Sequence, residues 1–94
     1  MAEDDTPRVQ VRTEDVSWRE VDGEIIALDL RASTYFTTNR AGAVLWHRMV
    51  EGCPADQLAE LLCERFGIDG ARAEADVHSF LRLLKEHDLL IVEG

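Results

Sequence analysis

Residues 9–38 are predicted to form β-strands, because parts of this range show the period-two alternation of apolar and polar side chains that is typical of half-buried strands. The alternation is clear from Val16 to Val21, and the dipeptide Asp22-Gly23 that follows favours a two-residue hairpin turn. A second strand covers residues 24–30, and residues 34–38 are all β-branched or aromatic. The pattern therefore predicts a short three-stranded antiparallel meander.

The period changes from two to 3.6 at Asn39, whose side chain suits the N-cap of a helix. The first amphipathic helix is expected over residues 40–51, and a second from Pro54 to the glycine at position 67. A third is expected after Gly70 and ends near Glu86, while the apolar segment 89–92 is too short for a helix and is expected to pack back in extended form.

The order of three strands and three helices predicts an α+β protein, with one antiparallel sheet against a small helical bundle. This order fits a winged helix-turn-helix layout. A chain of 94 residues has room for one core. We expect a disordered acidic tail at residues 1–8 and a single domain at residues 9–94, in which Val9 to Val11 can add a fourth strand to the sheet.

Three apolar features stand apart from these stripes. The second strand places Ile26, Leu28 and Leu30 on one face and Ile25, Ala27 and Asp29 on the other. Val44 lies among the polar residues of the first helix. Leu83 is rotated off the apolar stripe of the third helix, onto a flank shared with Asp76 and His87. Leu83 is either a single surface leucine, which is common, or the wall of a groove.

The chain is strongly acidic, with 10 Lys and Arg against 19 Asp and Glu and a formal net charge of −9. Such a surface repels phosphate backbones and anionic lipids, so we expect neither nucleic acid nor a membrane among the partners. The longest apolar stretch, Ala41 to Trp46, is far short of the ~20 residues that span a bilayer. The N-terminus also lacks the layout of a signal peptide, and we therefore expect a cytoplasmic protein.

Side chains that usually perform catalysis occur singly in this sequence. Cys53 and Cys63 form no CxxC motif, and neither has a zinc-spaced partner. The three histidines include no i, i+4 pair with a partnering acid, and no serine lies in a glycine-rich nucleophile turn. We therefore expect no catalytic residue, no metal site and no cofactor, and we do not expect an enzyme.

With catalysis disfavoured, binding functions remain. Two kinds of binding surface are considered, one for a peptide and one for DNA. The strand at residues 34–38 leads directly into a helix, so it is expected at an open sheet edge whose backbone groups can accept an added peptide strand. An ordinary sheet edge with one core aromatic fits the same residues equally well. A DNA-binding helix is disfavoured by charge, because the segment from Pro54 to Phe66 carries Arg65 as its only basic residue against three acids.

A distributed set of residues extends from about Val16 to Val92. It comprises the run Leu28–Asn39, then Gly42, Leu45-Trp46, Met49, Gly52, Leu58, Leu62, Phe66-Gly67, Asp76-Val77, Phe80-Leu81, Leu84 and Leu89-Leu90. This ordered set resembles the PqqD-like proteins, the peptide-recognition elements of pathways that make ribosomally synthesised, post-translationally modified peptides. Thr38 departs from the family pattern, which often has leucine before the asparagine.

The resemblance implies a winged helix-turn-helix fold that binds the leader segment of a precursor peptide. The leader is expected to add as a strand beside the third strand and to lie in a groove walled by the third helix. Carried onto this sequence, the peptide-binding residues are Ser33, Thr34, Tyr35, Phe36 and Thr37 on the strand, and Asp76, Val77, Phe80, Leu83, Leu84 and His87 on the helix.

The short form of the chain, with an arginine in the turn after the second strand, looks most like the separate leader-binding proteins of lasso-peptide clusters. There the implied partner is a leader peptidase, a cysteine protease, or another modifying enzyme. The nearest alternative is a PqqD-type peptide chaperone for a radical SAM enzyme. A third hypothesis is a structural subunit that stabilises a larger enzyme without touching its substrate.

Overall fold

The computed structural model describes residues 6–93, and in that range it contains six strands and three helices. A three-stranded meander is followed by three helices, which confirms the predicted α+β class. In chain order the elements are β1 (Arg8–Val11), β2 (Val16–Val21), β3 (Glu24–Asp29), β4 (Thr34–Thr37), α1 (Arg40–Glu51), β5 (Cys53–Pro54), α2 (Asp56–Phe66), α3 (Gly70–Glu86) and β6 (Leu90–Glu93).

The meander has the strand order β2-β3-β4, all antiparallel, so that β3 lies in the middle and β4 forms one edge. Asp22 and Gly23 join β2 to β3 with positive φ angles of 54° and 80°. A type I′ hairpin turn requires positive φ at both central residues, and Asp-Gly adopts this backbone at low cost. The hairpin expected from this dipeptide is therefore confirmed.

Residues 9–11 form a strand, but this strand belongs to a second sheet and not to the meander. β1 lies between β5 and β6, and its pairing with β6 runs from Arg8 opposite Glu93 to Val11 opposite Leu90. The C-terminal segment is thus extended and packed back, as predicted. Val9 and Val11 are buried, and β1 packs against α1, so this strand closes the core on a side that the meander does not cover.

Residues 7 and 8, which fall in the range expected to be a tail, contact the segment before α2. Arg8 pairs with Pro54, and the Pro7 carbonyl accepts a hydrogen bond from the Ala55 N–H at 2.9 Å. Residues 1–5, which make up the rest of the expected tail, lie outside the described range. Because Pro54 belongs to β5, α2 begins at Asp56 and not at Pro54 as predicted.

The caps of α1 and α3 orient the two helices that flank β4. The Asn39 side chain accepts a hydrogen bond from the Gly42 N–H at 2.8 Å, which confirms Asn39 as an N-cap. Asp69 caps α3 in the same way, through the Arg72 N–H at 2.8 Å. Only two residues separate the end of β4 from the start of α1, so α1 begins directly beside the end of the sheet.

The aromatic core centres on Trp46 of α1, which is fully buried. Its indole ring meets Trp18 edge-on, with 5.7 Å between centroids, and stacks on Phe36 at 5.8 Å. Ala27 lies directly opposite Phe36 in the register of β3 and β4. The small Ala27 side chain leaves the space beneath the sheet that these rings fill, because protein interiors are close-packed.

The buried face of β3 is the one with the smaller apolar content. Its inward residues are Ile25, Ala27 and Asp29, whereas Ile26 and Leu30 are exposed on the outer face. Asp29 is the buried charged residue of the described range, and Arg12 pairs with it at 2.8 Å.

Candidate functional site

The free edge of β4 carries backbone groups that the fold leaves available. Within residues 6–93, no strand pairs with the edge of β4 that faces away from β3. The Thr38 N–H donates to the Ile25 carbonyl at 3.0 Å, so this residue and every second residue before it turn their backbone groups toward β3. The N–H and C=O groups of Tyr35 and Thr37 therefore point outward. They offer two donors and two acceptors to an added strand.

A groove of about 300 Å³ lies beside this edge, between β4, the start of α1 and the exposed side of α3. Phe36, Leu45 and Phe80 contribute its apolar surface, and Leu83 contributes to the wall on α3. The other lining residues are Thr37, Thr38, Asn39, Ala41, Gly42, Arg72, Asp76 and Ser79. The groove is thus apolar where α3 faces β4 and polar at its rims.

Gly42 allows the floor of the groove to form. A Cβ atom at this position would lie 2.8 Å from the Thr38 Cβ and 3.2 Å from Cε1 of Phe80. Both distances are shorter than ordinary van der Waals contacts, and Thr38 is held in place because its hydroxyl accepts a hydrogen bond from the Ile25 N–H. A glycine is therefore needed for the Phe80 ring to lie against α1.

The strand residues expected to bind peptide occupy different surfaces. Phe36 is buried and lines the groove with Thr37, whereas Tyr35 is 71% exposed on the outer face of the sheet. Thr34 is exposed at the start of β4. Ser33 lies in the preceding turn with a φ of 56°, and its N–H donates to the Asp29 carbonyl at 2.7 Å.

The helix residues expected to bind peptide divide between the groove and the core. Asp76, Phe80 and Leu83 line the groove, and Leu83 is 44% exposed. Val77 is buried on the side of α3 that faces α2, and Leu84 has no exposed surface to offer a guest chain. The remaining residue, at the C-cap of α3, is half-buried and does not line the groove.

That C-cap residue, His87, packs edge-on against Phe36 with 5.1 Å between ring centroids. Phe36 also contacts the ring of Phe80 at 6.1 Å. The two aromatic contacts hold α3 against β4 from its middle to its end. His87 therefore supports the groove from within the fold.

Several lining residues were not expected from the sequence. Gly42 and Leu45 had been placed on the apolar face of the first helix, which was interpreted as core alone. Arg72 and Ser79 lie on α3 outside its apolar stripe. The signal that indicates Gly42 is a glycine inside an otherwise regular helix, a residue that usually marks a close approach of another group.

A buried ion pair joins the two sides of the groove at the end near His87. One Asp29 carboxylate oxygen accepts from Arg12 at 2.8 Å, and the other accepts from the Arg31 and Ala32 N–H groups at 3.0 and 3.4 Å. Arg12 also donates to the Asp88 carbonyl at 3.1 Å, just beyond the end of α3. The pair thus connects the turn before β4 to the end of α3.

The pKa of Asp29 lies below its ordinary value. Burial acts to raise this pKa, but hydrogen bonds from the Arg31 N–H, from Arg12 and from the Ala32 N–H stabilise the carboxylate more strongly. The group is therefore ionised wherever the protein is near neutral pH. This carboxylate accepts two backbone hydrogen bonds from the turn that leads into β4.

The described residues contain no group of three or more His, Cys, Asp or Glu side chains arranged to hold a metal ion. No helix in residues 6–93 is long and apolar enough to cross a bilayer. Cys53 is buried and Cys63 is half-buried, and both are free thiols.

Comparison with known proteins gives one family and two related structures. The family model described as coenzyme PQQ synthesis protein D (PqqD) matches residues 24–90. A structure described as TbiB1 in complex with the TbiA(beta) leader peptide superposes with a TM-score of 0.77 at 27% identity, over 86% of this chain and 93% of that one. A structure described as lasso peptide synthetase B1 complexed with the leader peptide has a TM-score of 0.75 at 23% identity, over 88% of this chain and 96% of that one. No curated protein sequence matches the chain.

Proposed function

Because the chain belongs to the PqqD family, we propose that it is a non-catalytic module that binds the leader segment of a ribosomally synthesised, post-translationally modified precursor peptide. The observation that carries the proposal is the unpaired edge of β4 beside an apolar groove. The proposal is further supported by the TbiB1 structure, a relative of the same fold that is described in complex with a leader peptide.

The leader adds to β4 as a further strand. The N–H and C=O groups of Tyr35 and Thr37 form four hydrogen bonds with it, at a net gain of about 0.5–1.5 kcal/mol each. Association costs ~4–15 kcal/mol, so backbone pairing alone does not give a stable complex. Backbone pairing sets the register of the leader, and side chains must supply the rest of the affinity.

The groove supplies these side-chain contacts. Alternate leader side chains point from the added strand toward Phe36, Phe80 and Leu83. Each leader side chain that becomes fully buried there contributes about 1.5–3 kcal/mol. Micromolar binding requires roughly −8 kcal/mol, so at least two or three such anchors are needed. Val77, Leu84 and His87 hold α3 in place behind this surface.

The bound leader is then delivered to a modifying enzyme. The likeness to a lasso peptide synthetase B1 structure, together with the resemblance to the separate leader-binding proteins of lasso-peptide clusters, favours a leader peptidase, a cysteine protease, as that enzyme. A PqqD-type chaperone role for a radical SAM enzyme is the second candidate, and the description of the matching family model favours it. Both roles use the same groove and differ in the partner. Because a ribosomally made precursor is produced in the cytoplasm, the proposal places binding there.

Fluorescence anisotropy with a labelled leader from the neighbouring precursor gene tests the proposal. We expect saturable binding in the micromolar range or tighter, and none for a scrambled leader of the same composition. Absence of saturable binding at roughly 50 μM of the protein would count against leader recognition.

Backbone methylation distinguishes strand addition from other binding modes. In an antiparallel or parallel pair, only every second residue of a strand turns its N–H toward a given neighbour. N-methylation of single leader residues should therefore abolish binding at alternate positions and leave the positions between them unaffected. Losses that recur with the 3.6-residue period of a helix would show that the leader does not bind as a strand.

A further inference from the structure

A second cleft lies on the side of α1 opposite to the groove. It has a volume of about 930 Å³ and is bounded by the β2–β3 turn, the outer side of α1 and the end of α2. No residue lines both this cleft and the groove beside β4. A molecule in the cleft would therefore leave the leader-binding edge accessible.

The cleft accounts for the position of Val44, which the helical pattern of α1 leaves unexplained. Val44 lies on the otherwise polar side of this helix, and here it lines the cleft with Leu61 and Phe66 of α2. Phe66 is 43% exposed, although it belongs to the apolar stripe of its helix. Together these three side chains form an apolar strip that the described part of the chain does not cover.

Three arginines and three acids line this strip, on a protein whose net charge is −9. Arg40, Arg48 and Arg65 all line the cleft. Within the described range, Arg40, Arg48 and Arg65 have no carboxylate within 4 Å. Arg48 bonds to the amide oxygen of Gln57 at 2.9 Å and to the thiol of Cys53. The guanidinium groups of Arg40 and Arg65 can therefore meet carboxylates from another molecule, and Arg48 stands beside them without a carboxylate partner of its own.

The acidic residues of the cleft do not neutralise these arginines directly. Glu20 is bonded to His47, while Asp22 lies at the tip of the hairpin turn and Glu51 at the end of α1. The arrangement is thus an apolar strip lined by three arginines that lack carboxylate partners and by three acids, one of which is already bonded to His47. This pattern selects a complementary segment in which carboxylates flank an apolar side chain.

We infer that this cleft is a docking site for the modifying enzyme, through a segment of that enzyme in which acidic residues flank an aromatic or aliphatic anchor. The inference rests on the proposed function for the existence of that enzyme. A protein segment suits the cleft better than a small molecule, because Arg40, Arg48, Arg65 and Phe66 are all exposed, whereas small-molecule sites enclose most of the ligand. Separate surfaces let the protein hold the leader and the enzyme at once.

The test measures binding of the leader-loaded protein to the modifying enzyme of its own gene cluster, by biolayer interferometry. Arg65→Glu and Val44→Glu should each weaken this complex by at least about tenfold, because each places an anion against the acidic segment. Leader affinity, measured separately by anisotropy, should stay within about twofold of the unmodified protein. Addition of salt should weaken the complex with the enzyme.

Arg82→Glu is the matched control, because Arg82 is an exposed helical arginine that lines neither the cleft nor the groove. It changes the net charge by the same amount as Arg65→Glu and should leave enzyme binding intact. Arg65 also lies in the last turn of α2, where a cation stabilises the helix, so melting temperatures must show that each variant folds. Val44→Glu provides an independent test if Arg65→Glu does not fold.

Each outcome decides the inference. If Arg65→Glu and Val44→Glu bind the enzyme as Arg82→Glu does, or if the leader-loaded protein binds no modifying enzyme, the cleft is not the docking site. If the two variants instead abolish binding to duplex DNA, the cleft is an anion site of another kind and the inference is wrong. Failure of the unmodified protein to bind the leader would refute the proposed function itself, and the two failures are thereby distinguished.

Discussion

Leu83 and Leu84 are neighbours in sequence with different roles in the structure. Leu84 is fully buried, whereas Leu83 is 44% exposed at the wall of the groove. Consecutive helical residues point about 100° apart, so the core takes one leucine and leaves the other beside β4. We therefore expect that substitutions at these two positions change stability and peptide affinity separately.

Leu83→Ala should weaken leader binding roughly tenfold, or about 1.4 kcal/mol, because a leader side chain loses one apolar neighbour. The melting temperature should change by less than about 3 °C, since little buried surface is lost. Leu30→Ala is the matched control, because Leu30 is also an exposed leucine but lies on the outer face of the sheet. Equal leader affinity in the two variants would exclude Leu83 from the site.

Gly42→Ala tests the floor of the groove. The added Cβ would meet the Thr38 Cβ at 2.8 Å and must displace Phe80, so we expect a loss of about 1–3 kcal/mol in unfolding free energy, as in other overpacked sites. Leader affinity should fall as well, because the Phe80 ring moves into the space that the leader occupies. Anisotropy and chemical denaturation measure the two effects.

The control for this change is Gly70→Ala at the start of α3, where no atom lies within 4 Å of the added Cβ. It should be neutral or stabilise the protein by up to about 1 kcal/mol. If Gly42→Ala behaves like Gly70→Ala in both assays, the close approach of Phe80 to α1 does not shape the groove.

At the level of elements, the groove depends on how β4 and α3 are held apart. Arg12 and Asp29 connect the turn before β4 to the end of α3 through short hydrogen bonds. At the opposite end, Thr38 and Phe80 both approach Gly42 closely. The width of the groove is therefore set at both ends by contacts that belong to no single element.

Asp29→Asn should lower both the melting temperature at neutral pH and the leader affinity, because the amide cannot replace the charge that Arg12 pairs with. The pKa of Asp29 is depressed in the folded protein, so its contribution is complete above the unfolded value of about 3.9 and is lost as pH falls through the lower folded value. The difference in melting temperature between the two proteins should therefore shrink as pH falls below about 4.

Glu60→Gln, on the exposed side of α2, is the control for this change and should melt like the unmodified protein at every pH. A difference between Asp29→Asn and the unmodified protein that stays constant down to strongly acidic pH would show that the carboxylate charge does not stabilise the turn.

At the scale of the whole molecule, charge and topology decide which class of partner is bound. The net charge of −9 opposes any approach to a phosphate backbone, and α2 carries Asp56, Glu60 and Glu64 on its surface. The fold presents a sheet edge and a groove to a peptide instead. The shape of the fold alone does not distinguish these partners, because one fold can serve several functions.

Duplex DNA should accordingly give no electrophoretic shift with this protein, even at low ionic strength, where phosphate contacts are strongest. The labelled leader should bind under the same conditions, and this serves as the positive control. A DNA complex that weakens steeply with added salt would contradict the prediction and favour a DNA-binding function.

The elements themselves follow from local sequence patterns. Alternation from Val16 to Val21, the Asp22-Gly23 turn and the Asn39 cap each depend on neighbouring residues, and the structure contains all three. The sequence pattern also predicted the strand at Val9–Val11, but it did not predict that this strand pairs with β6. Pairing with β6 joins residues about 80 apart, and no local pattern encodes such a contact.

The sequence by itself determined the meander, the three helices and their order, the acidic surface and the family, because each depends on local side-chain periodicity, on composition or on a distributed set of residues. Only the tertiary structure decided that the Ala27 face of β3 is buried beneath Ile26 and Leu30, and that Leu83 faces the groove whereas Leu84 does not. Both outcomes depend on what packs against each face. The rings of Trp46 and Phe36 need space beneath the sheet, and the Ala27 face of β3 provides it. The hydrophobicity of the strand alone therefore does not select the face that is buried.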